Sequence, residues 1–293
     1  MTEPAPASVS WNRLGILAGG GDLPLELAGA QSERNPFIIE LDGFTDRDFS
    51  AYERVMLSIG QIGGMTKALK AAGCDAICFA GYVTRPDMKR LKMDARGMMM
   101  VPKALAAGKK GDDALIRVVV GEFESQGFRV VGAHDVLAAL TPDASETGAG
   151  IFDPVHQGDV DKAVSIARAI GALDIGQGAV VANGLVLAVE AQEGTNAMLE
   201  RLTGLSDELR GHQEGRRGVM AKMPKPIQER RVDLPTIGID TVERCAQAGL
   251  AGIVLETGGA LILDRAGVID ALERHGLFLR FVEPAQAEES ANA

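Results

Sequence analysis

Short unbroken apolar runs alternate with amphipathic stretches along almost the whole chain. Leu14–Ala18, Phe37–Glu40, Val55–Ser58 and Ala76–Ala80 read as strands, and Arg129–Val131 as a return to the same sheet. Between them, Leu23–Gln31, Ile62–Ala72 and Asp112–Gln126 carry helical periodicity, the last with Leu115, Val118, Val119 and Phe123 on one face. Pro24 sits in the first turn of its helix, where a missing N–H costs little. This β-α alternation predicts a mainly parallel, Rossmann-like sheet covered on both sides.

The periodicity then stops. Residues 141–159 (TPDASETGAGIFDPVHQGD) are rich in Pro, Gly, Asp and Thr and read as a linker. Beyond it, Asp159–Leu173 is predicted helical, with Val160, Val164, Ala167 and Ile170 facing the core. Ala179–Ala182 and Leu185–Glu190 flank Asn183-Gly184, a strong two-residue hairpin signal. Arg217–Lys222, Gly252–Leu255, Leu261–Leu263 and Leu277–Val282 are further strands, with helices at Ile239–Ala248 and Ala266–Gly276. The expected organisation is a leader at 1–10, an α/β domain at 11–140, the linker, and a second α/β domain at 160–293.

The 293 residues suit about two domains. With 46% hydrophobic and 24% charged residues, the chain has ample material for a core and is not a disordered polymer. A formal charge of −10 argues against a general nucleic-acid binder. Aromatics are scarce at 4% and glycines number 36, so the core is aliphatic and the turns tight. Cys74, Cys78 and Cys245 make no disulfide framework, which points to a reducing, cytoplasmic setting. Cys74 and Cys78 read as packing residues, since no second Cys/His pair completes a zinc site. The opening MTEPAPASVS lacks the features of a signal peptide, and no run approaches the ~20 apolar residues of a membrane span.

Five segments carry candidate chemistry. Leu17-Ala18-Gly19-Gly20-Gly21-Asp22-Leu23-Pro24 runs from strand to helix and could bring backbone amides to a phosphate. A tight turn alone would use the same glycines. Ser58-Ile59-Gly60-Gln61-Ile62-Gly63-Gly64 and Gly81-Tyr82-Val83-Thr84-Arg85-Pro86 follow strands of the same sheet and belong at its carboxyl edge, where such folds bind ligands. The stretch 87–103 places Met88, Met93, Met98, Met99 and Met100 among Lys89, Arg90, Lys92, Arg96 and Lys103. It reads either as a core-packing helix or as an apolar wall with a cationic rim for a lipid surface.

The fourth segment is the most informative. RRGVMAKMPKPIQERR, residues 216–231, holds six cations and one acid in an otherwise acidic chain, and leads into Val232-Asp233-Leu234-Pro235. Pro224 and Pro226 keep Lys225 extended. Cations gathered near one carboxylate suit phosphoanhydride cleavage, the carboxylate holding a metal or directing water. The fifth segment joins Asp174-Ile175-Gly176-Gln177-Gly178 to Glu190-Ala191-Gln192-Glu193-Gly194-Thr195-Asn196. Glu190 and Glu193 could bind a metal or ribose hydroxyls, or Glu193 could serve as a helix-start charge. His134, His156, His212 and His275 are scattered and form no catalytic or metal motif.

Taken in order, LAGGGDLP, IGQIGG, the strand end before Arg85-Pro86, DIGQG, VEAQEGTN, KMPKPIQERRVDLPTIG and TVERCAQAGLAGI resemble one family across nearly the whole chain. It is that of the UDP-2,3-diacylglucosamine pyrophosphatases of lipid A biosynthesis, of the kind unrelated to calcineurin-like phosphoesterases. The resemblance implies hydrolysis to UMP and 2,3-diacylglucosamine 1-phosphate with Mg²⁺, Mn²⁺ or a similar divalent ion. It implies two domains with the lipid held in a cleft between them, and contact with the inner face of the cytoplasmic membrane; a homodimer is left open. The family's essential aspartate falls on Asp233, the expected metal ligand, with Lys222, Lys225, Gln228 and Arg231 as the other catalytic groups. Gly19, Gly20, Gly21, Leu23, Gln61, Gly81, Arg85, Gln177, Glu190, Glu193 and Thr195 are expected to bind substrate. Asn196 and Glu229 stand where the family commonly has Asp. Two other classes stay open from the residues: a sugar nucleotidyltransferase, suggested by LAGGG, and a non-catalytic carrier of nucleotide-sugar lipids.

Overall fold

A computed structural model describes residues 10–84, 91–142, 148–226 and 228–284. It divides into two units. The first comprises residues up to Ala138 together with Glu229–Asp233; the second comprises Ala139–Gln228 and Leu234 onward. Residues 1–9 of the leader, Arg85 and residues Met88, Lys89 and Arg90 of the Met-rich stretch lie outside the described residues.

In the first unit the elements are β1 (Leu14–Ala18), α1 (Leu23–Ala30), β2 (Phe37–Leu41), β3 (Glu53–Leu57), α2 (Ile62–Ala71), β4 (Ala76–Ala80), α3 (Ala95–Gly108), α4 (Asp112–Ser125), β5 (Arg129–Val130) and α5 (Ala133–Val136). The five strands form one parallel sheet in the order β3-β2-β1-β4-β5. Strands buried on both faces need continuous apolar runs, and β1 and β2 are buried at every position. The edge strand β3 is the most open to solvent, with no fully buried position. One face packs Leu17, Ile39 and Ile77 against Met65, Leu69, Val120 and Phe123 from α2 and α4, with Ile116, Val118, Val119 and Val232 at its margin. Chain order reverses between β1 and β4, so the loops after these strands meet at the switch point where doubly wound sheets take ligands.

The second unit contains β6 (Gly148–Ala149), α6 (Gln157–Ala172), β7 (Gly178–Ala182), β8 (Leu185–Val189), α7 (Gly194–Leu202), α8 (Asp207–Arg210), β9 (Gly211–His212), β10 (Gly215–Arg216), β11 (Val219–Lys222), β12 (Thr236–Ile237), α9 (Ile239–Gln247), β13 (Gly252–Glu256), β14 (Leu261–Ile262), α10 (Arg265–His275) and β15 (Phe278–Val282). Its main sheet runs β6-β15-β13-β11-β7-β8, with β11, β13 and β15 parallel and the others antiparallel to their neighbours. Side chains alternate across it. Val180, Met220, Ile253 and Leu255 face α7, α9 and α10, while Val181, Ala221 and Val254 face Val160, Ala163 and Ala167 of α6. The Asn183-Gly184 turn has both residues at positive φ, 49° and 75°, and buried Asp159 accepts from both amides at 2.9 and 2.7 Å.

Two expectations need correction. Residues 148–159 of the expected linker are part of the second unit: Gly148–Ala149 pairs with β15 as an edge strand and α6 begins at Gln157. A two-residue strand is too short to show a period. The second correction is that Glu229–Asp233, expected in the C-terminal domain, packs with the first unit.

Candidate functional site

In the second unit, the parallel strands β11 and β13 end at the same edge at which antiparallel β7 begins and β8 finishes. That edge gathers residues from four distant segments. Lys225 lies in the proline-bracketed loop after β11, and its Nζ pairs with Asp174 Oδ1 at 2.7 Å, both side chains largely buried. Asp174 holds a left-handed φ of 54° just after α6. Gln228 is buried; its side-chain oxygen accepts from the Lys225 amide at 2.9 Å, and its nitrogen reaches Gln177 Oε1 at 3.4 Å. Buried Lys222, the last residue of β11, donates from Nζ to the Thr236 carbonyl at 2.9 Å. Glu190 follows β8, is buried, and accepts from Thr195 Oγ1 at 2.8 Å.

The expected Glu190–Glu193 pair does not share partners. Glu193 bonds Arg201, in the last turn of α7, at 2.8 Å, and Arg201 also donates to the Val189 carbonyl, so Glu193 has a cationic partner of its own. Asn196 donates to Asp240 Oδ2 at 3.0 Å, a contact that a second carboxylate at position 196 could not make without protonation. Sequence reasoning missed Glu256, buried at the end of β13 and paired with Arg168 at 3.1 Å. Its signal was an acid closing an all-apolar strand.

Asp233 and Arg231 belong to the segment docked in the first unit. Asp233 is half-buried, in a turn where its amide donates to the Glu229 carbonyl at 3.0 Å. Arg231 binds both Glu229 oxygens at 2.9 Å and Glu124 of α4 at 2.7 Å, and the Glu229 amide donates to Asp113 at 2.6 Å. The Arg231 hydrogen bonds hold the Glu229 carboxyl below its ordinary range. This corrects the expected role of Arg231. With two carboxylates around it, its charge is balanced, and it anchors the turn that carries Asp233.

The glycine loop also departs from expectation. The Gly19, Gly20 and Gly21 amides donate to Ala80 O at 2.8 Å, Tyr82 O at 2.9 Å and Asp46 Oδ1 at 2.9 Å. All three are engaged, and the Asp46 carboxylate already occupies an anion position, so the expected phosphate cradle is not presented. The glycines are explained by close approach: a Cβ at Gly19 would come 2.6 Å from the Tyr82 carbonyl oxygen, and one at Gly20 2.5 Å from the Tyr82 ring. Gly81, at φ 85°, closes the same clasp, and Tyr82 O–H donates to Asp46 at 2.9 Å. Leu23 is buried at the start of α1, and Gln61 uses its side-chain oxygen to accept from the Ser58 amide at 3.0 Å.

Of the Met-rich stretch, Met100 packs in the core while Met98 and Met99 are exposed on α3 with Leu105. Lys92, expected on a cationic rim, reaches Asp42 at 3.3 Å. All three cysteines are buried, and burial pushes the thiols up to about 11 for Cys74 and about 12 for Cys78 and Cys245, as packing residues require. Among the described residues no three His, Cys, Asp or Glu side chains cluster as a metal cage, and no helix is long and apolar enough to cross a membrane.

Comparison with known proteins follows the same division. The LpxI N-terminal domain model matches residues 13–140 and the LpxI C-terminal domain model matches residues 146–280. A UDP-2,3-diacylglucosamine pyrophosphatase LpxI from Caulobacter vibrioides is 51% identical over 276 residues, covering 94% of this chain and 99% of that protein.

Proposed function

The chain belongs to the LpxI family, and from that premise we propose that it hydrolyses the diphosphate bond of UDP-2,3-diacylglucosamine in lipid A biosynthesis. The products are UMP and 2,3-diacylglucosamine 1-phosphate. The observation that carries this reading is the 51% identity over nearly the full length of both proteins. It is supported by the clustering of Lys225, Gln228, Gln177 and Glu190 on one sheet edge.

Cleavage needs a water directed at phosphorus and relief of negative charge on the departing phosphate. We assign the first task to Asp233, whose carboxylate accepts a proton from the attacking water. Lys225 supplies the charge relief, because it can exchange Asp174 for a phosphate oxygen. Gln228 holds the Lys225 backbone and Lys222 fixes the end of β11, so both act as positioning residues. Arg231 positions Asp233 through the Glu229 clamp. Thr195, Glu190 and Gln177 are assigned to the nucleotide sugar.

Mg²⁺ typically keeps several waters and takes one or two carboxylates plus substrate phosphates. A single carboxylate at Asp233, with no metal cage among the described residues, fits an ion that arrives with the diphosphate. Asp233 would hold it, and the ion when bound would supply charge neutralisation and acidify coordinated water.

Association with the membrane surface is proposed through α3. Met98, Pro102 and Leu105 recur on one exposed helical face, with Lys103, Lys109 and Lys110 also exposed. The nucleotidyltransferase reading would need the glycine amides for a triphosphate, and they are engaged. The deciding experiment is product analysis after adding UDP-2,3-diacylglucosamine with Mg²⁺ and with a chelator. UMP and lipid phosphate in equal amounts are expected with Mg²⁺; UTP-dependent synthesis, or retention without turnover, would overturn the reading.

A further inference from the structure

Glu190 is 6% exposed, yet its second carboxylate oxygen, Oε2, has no hydrogen-bond partner among the described residues. Native proteins rarely leave a buried acceptor unmet without a reason. The backbone beside it is bare. A Cβ at Gly178 would come 2.8 Å from Oε2, and one at Gly176 would collide with the Glu190 carbonyl. The other oxygen takes the only proton of the Thr195 hydroxyl, at 2.8 Å. Thr195 Oγ1 therefore presents lone pairs, and two acceptors stand next to each other.

Two adjacent acceptors match two adjacent hydroxyls. We propose that Glu190 Oε2 and Thr195 Oγ1 receive the vicinal hydroxyls of the ribose, so that the enzyme selects ribonucleotides over deoxyribonucleotides. The inference rests on the substrate class proposed above. Within that substrate, ribose offers a free vicinal pair, whereas positions 2 and 3 of the glucosamine carry acyl groups. Two acceptor oxygens side by side are unsuited to phosphate, which offers only acceptors of its own. A cation is also a poor fit, because Glu193 is paired with Arg201 and no three metal-ligating side chains cluster among the described residues. A strand-end acid at the carboxyl edge of an α/β sheet is a recurrent way of holding ribose.

The test is calorimetric binding of UMP, 2′-deoxy-UMP and 3′-deoxy-UMP to the full-length protein, to Glu190→Ala and to Glu190→Gln. In the wild type at least one deoxy analogue should bind about 10- to 100-fold more weakly than UMP. The penalty for the hydroxyl that Glu190 Oε2 receives should vanish in Glu190→Ala and persist in part in Glu190→Gln, which keeps an acceptor of the same shape, while the hydroxyl that Thr195 receives keeps its own. Equal binding of all three nucleotides by the wild type overturns the proposal. So does a uniform loss in both variants with the deoxy penalty intact, which marks Glu190 as structural. Failure of the wild type to release UMP from UDP-2,3-diacylglucosamine would sink the substrate assignment alone, because the nucleotide arms are read without turnover.

Discussion

Arg231 grips Glu229, two residues before it, through contacts of 2.9 Å to both carboxylate oxygens, and spends its remaining nitrogen on Glu124 at 2.7 Å. One guanidinium thus ties the Asp233 turn to itself and to α4. Planar, bidentate recognition of this kind is specific to arginine. Arg231→Lys should therefore lower turnover by about tenfold while leaving substrate KM within about twofold, because it loosens the turn without touching substrate. Steady-state kinetics on the two proteins decide it.

The same clamp carries a pH signature. The folded-state Glu229 carboxyl lies below its ordinary value of 4.5 because Arg231 hydrogen-bonds its charged form. A depressed acid contributes stability above its unfolded value and loses it as pH falls through the folded one. Urea denaturation from about pH 6 down to 3 should show wild-type stability falling more steeply than that of Glu229→Gln. Parallel curves for the two proteins would show that the clamp contributes nothing.

Asp233→Asn should cut UMP release by roughly 10³-fold or more while UMP affinity stays within a few-fold. The carboxylate acts on water, so its loss belongs in kcat. Retained turnover would remove Asp233 from the chemistry.

Lys225→Ala should cost about 10² in kcat, the usual penalty for deleting one charge-stabilising donor. Asp174→Asn should cost far less, because Asn tolerates the left-handed backbone at φ 54° and Lys225 keeps its charge. A larger loss in Asp174→Asn than in Lys225→Ala would reverse the assignment.

Replacing Met98, Met99 and Leu105 together by Ser should weaken sedimentation with anionic liposomes about tenfold and leave the melting temperature nearly unchanged, since all three side chains are already exposed. Unchanged liposome binding would assign that helix face elsewhere.

Much of the architecture was legible because the physics is local. β1 and β4 fall on Leu14–Ala18 and Ala76–Ala80, as an unbroken apolar run between turn residues requires. The Asn183-Gly184 hairpin follows from two residues able to take positive φ. The site was legible in part: the proline-bracketed loop does carry Lys225, and the Glu190–Thr195 turn does form. What stayed hidden depends on partners distant in sequence. Nothing near Gly19–Gly21 announces that Asp46 and Tyr82 will take the amides, 25 and some 60 residues away. Neither does the basic run reveal that Arg231 meets Glu124 on α4, 107 positions earlier. Charge counting sees the cations but not who neutralises them.

The placement of Glu229–Asp233 also sets an order on synthesis. As the chain leaves the ribosome N-terminus first, the parallel sheet of the first unit emerges complete, but without Arg231 for Glu124 and without Val232 against its helices. Those contacts become available only after β7 to β11 have been translated. Domain-by-domain maturation is the usual route for a chain of this length. Here the earlier half stays unfinished until most of the later half exists.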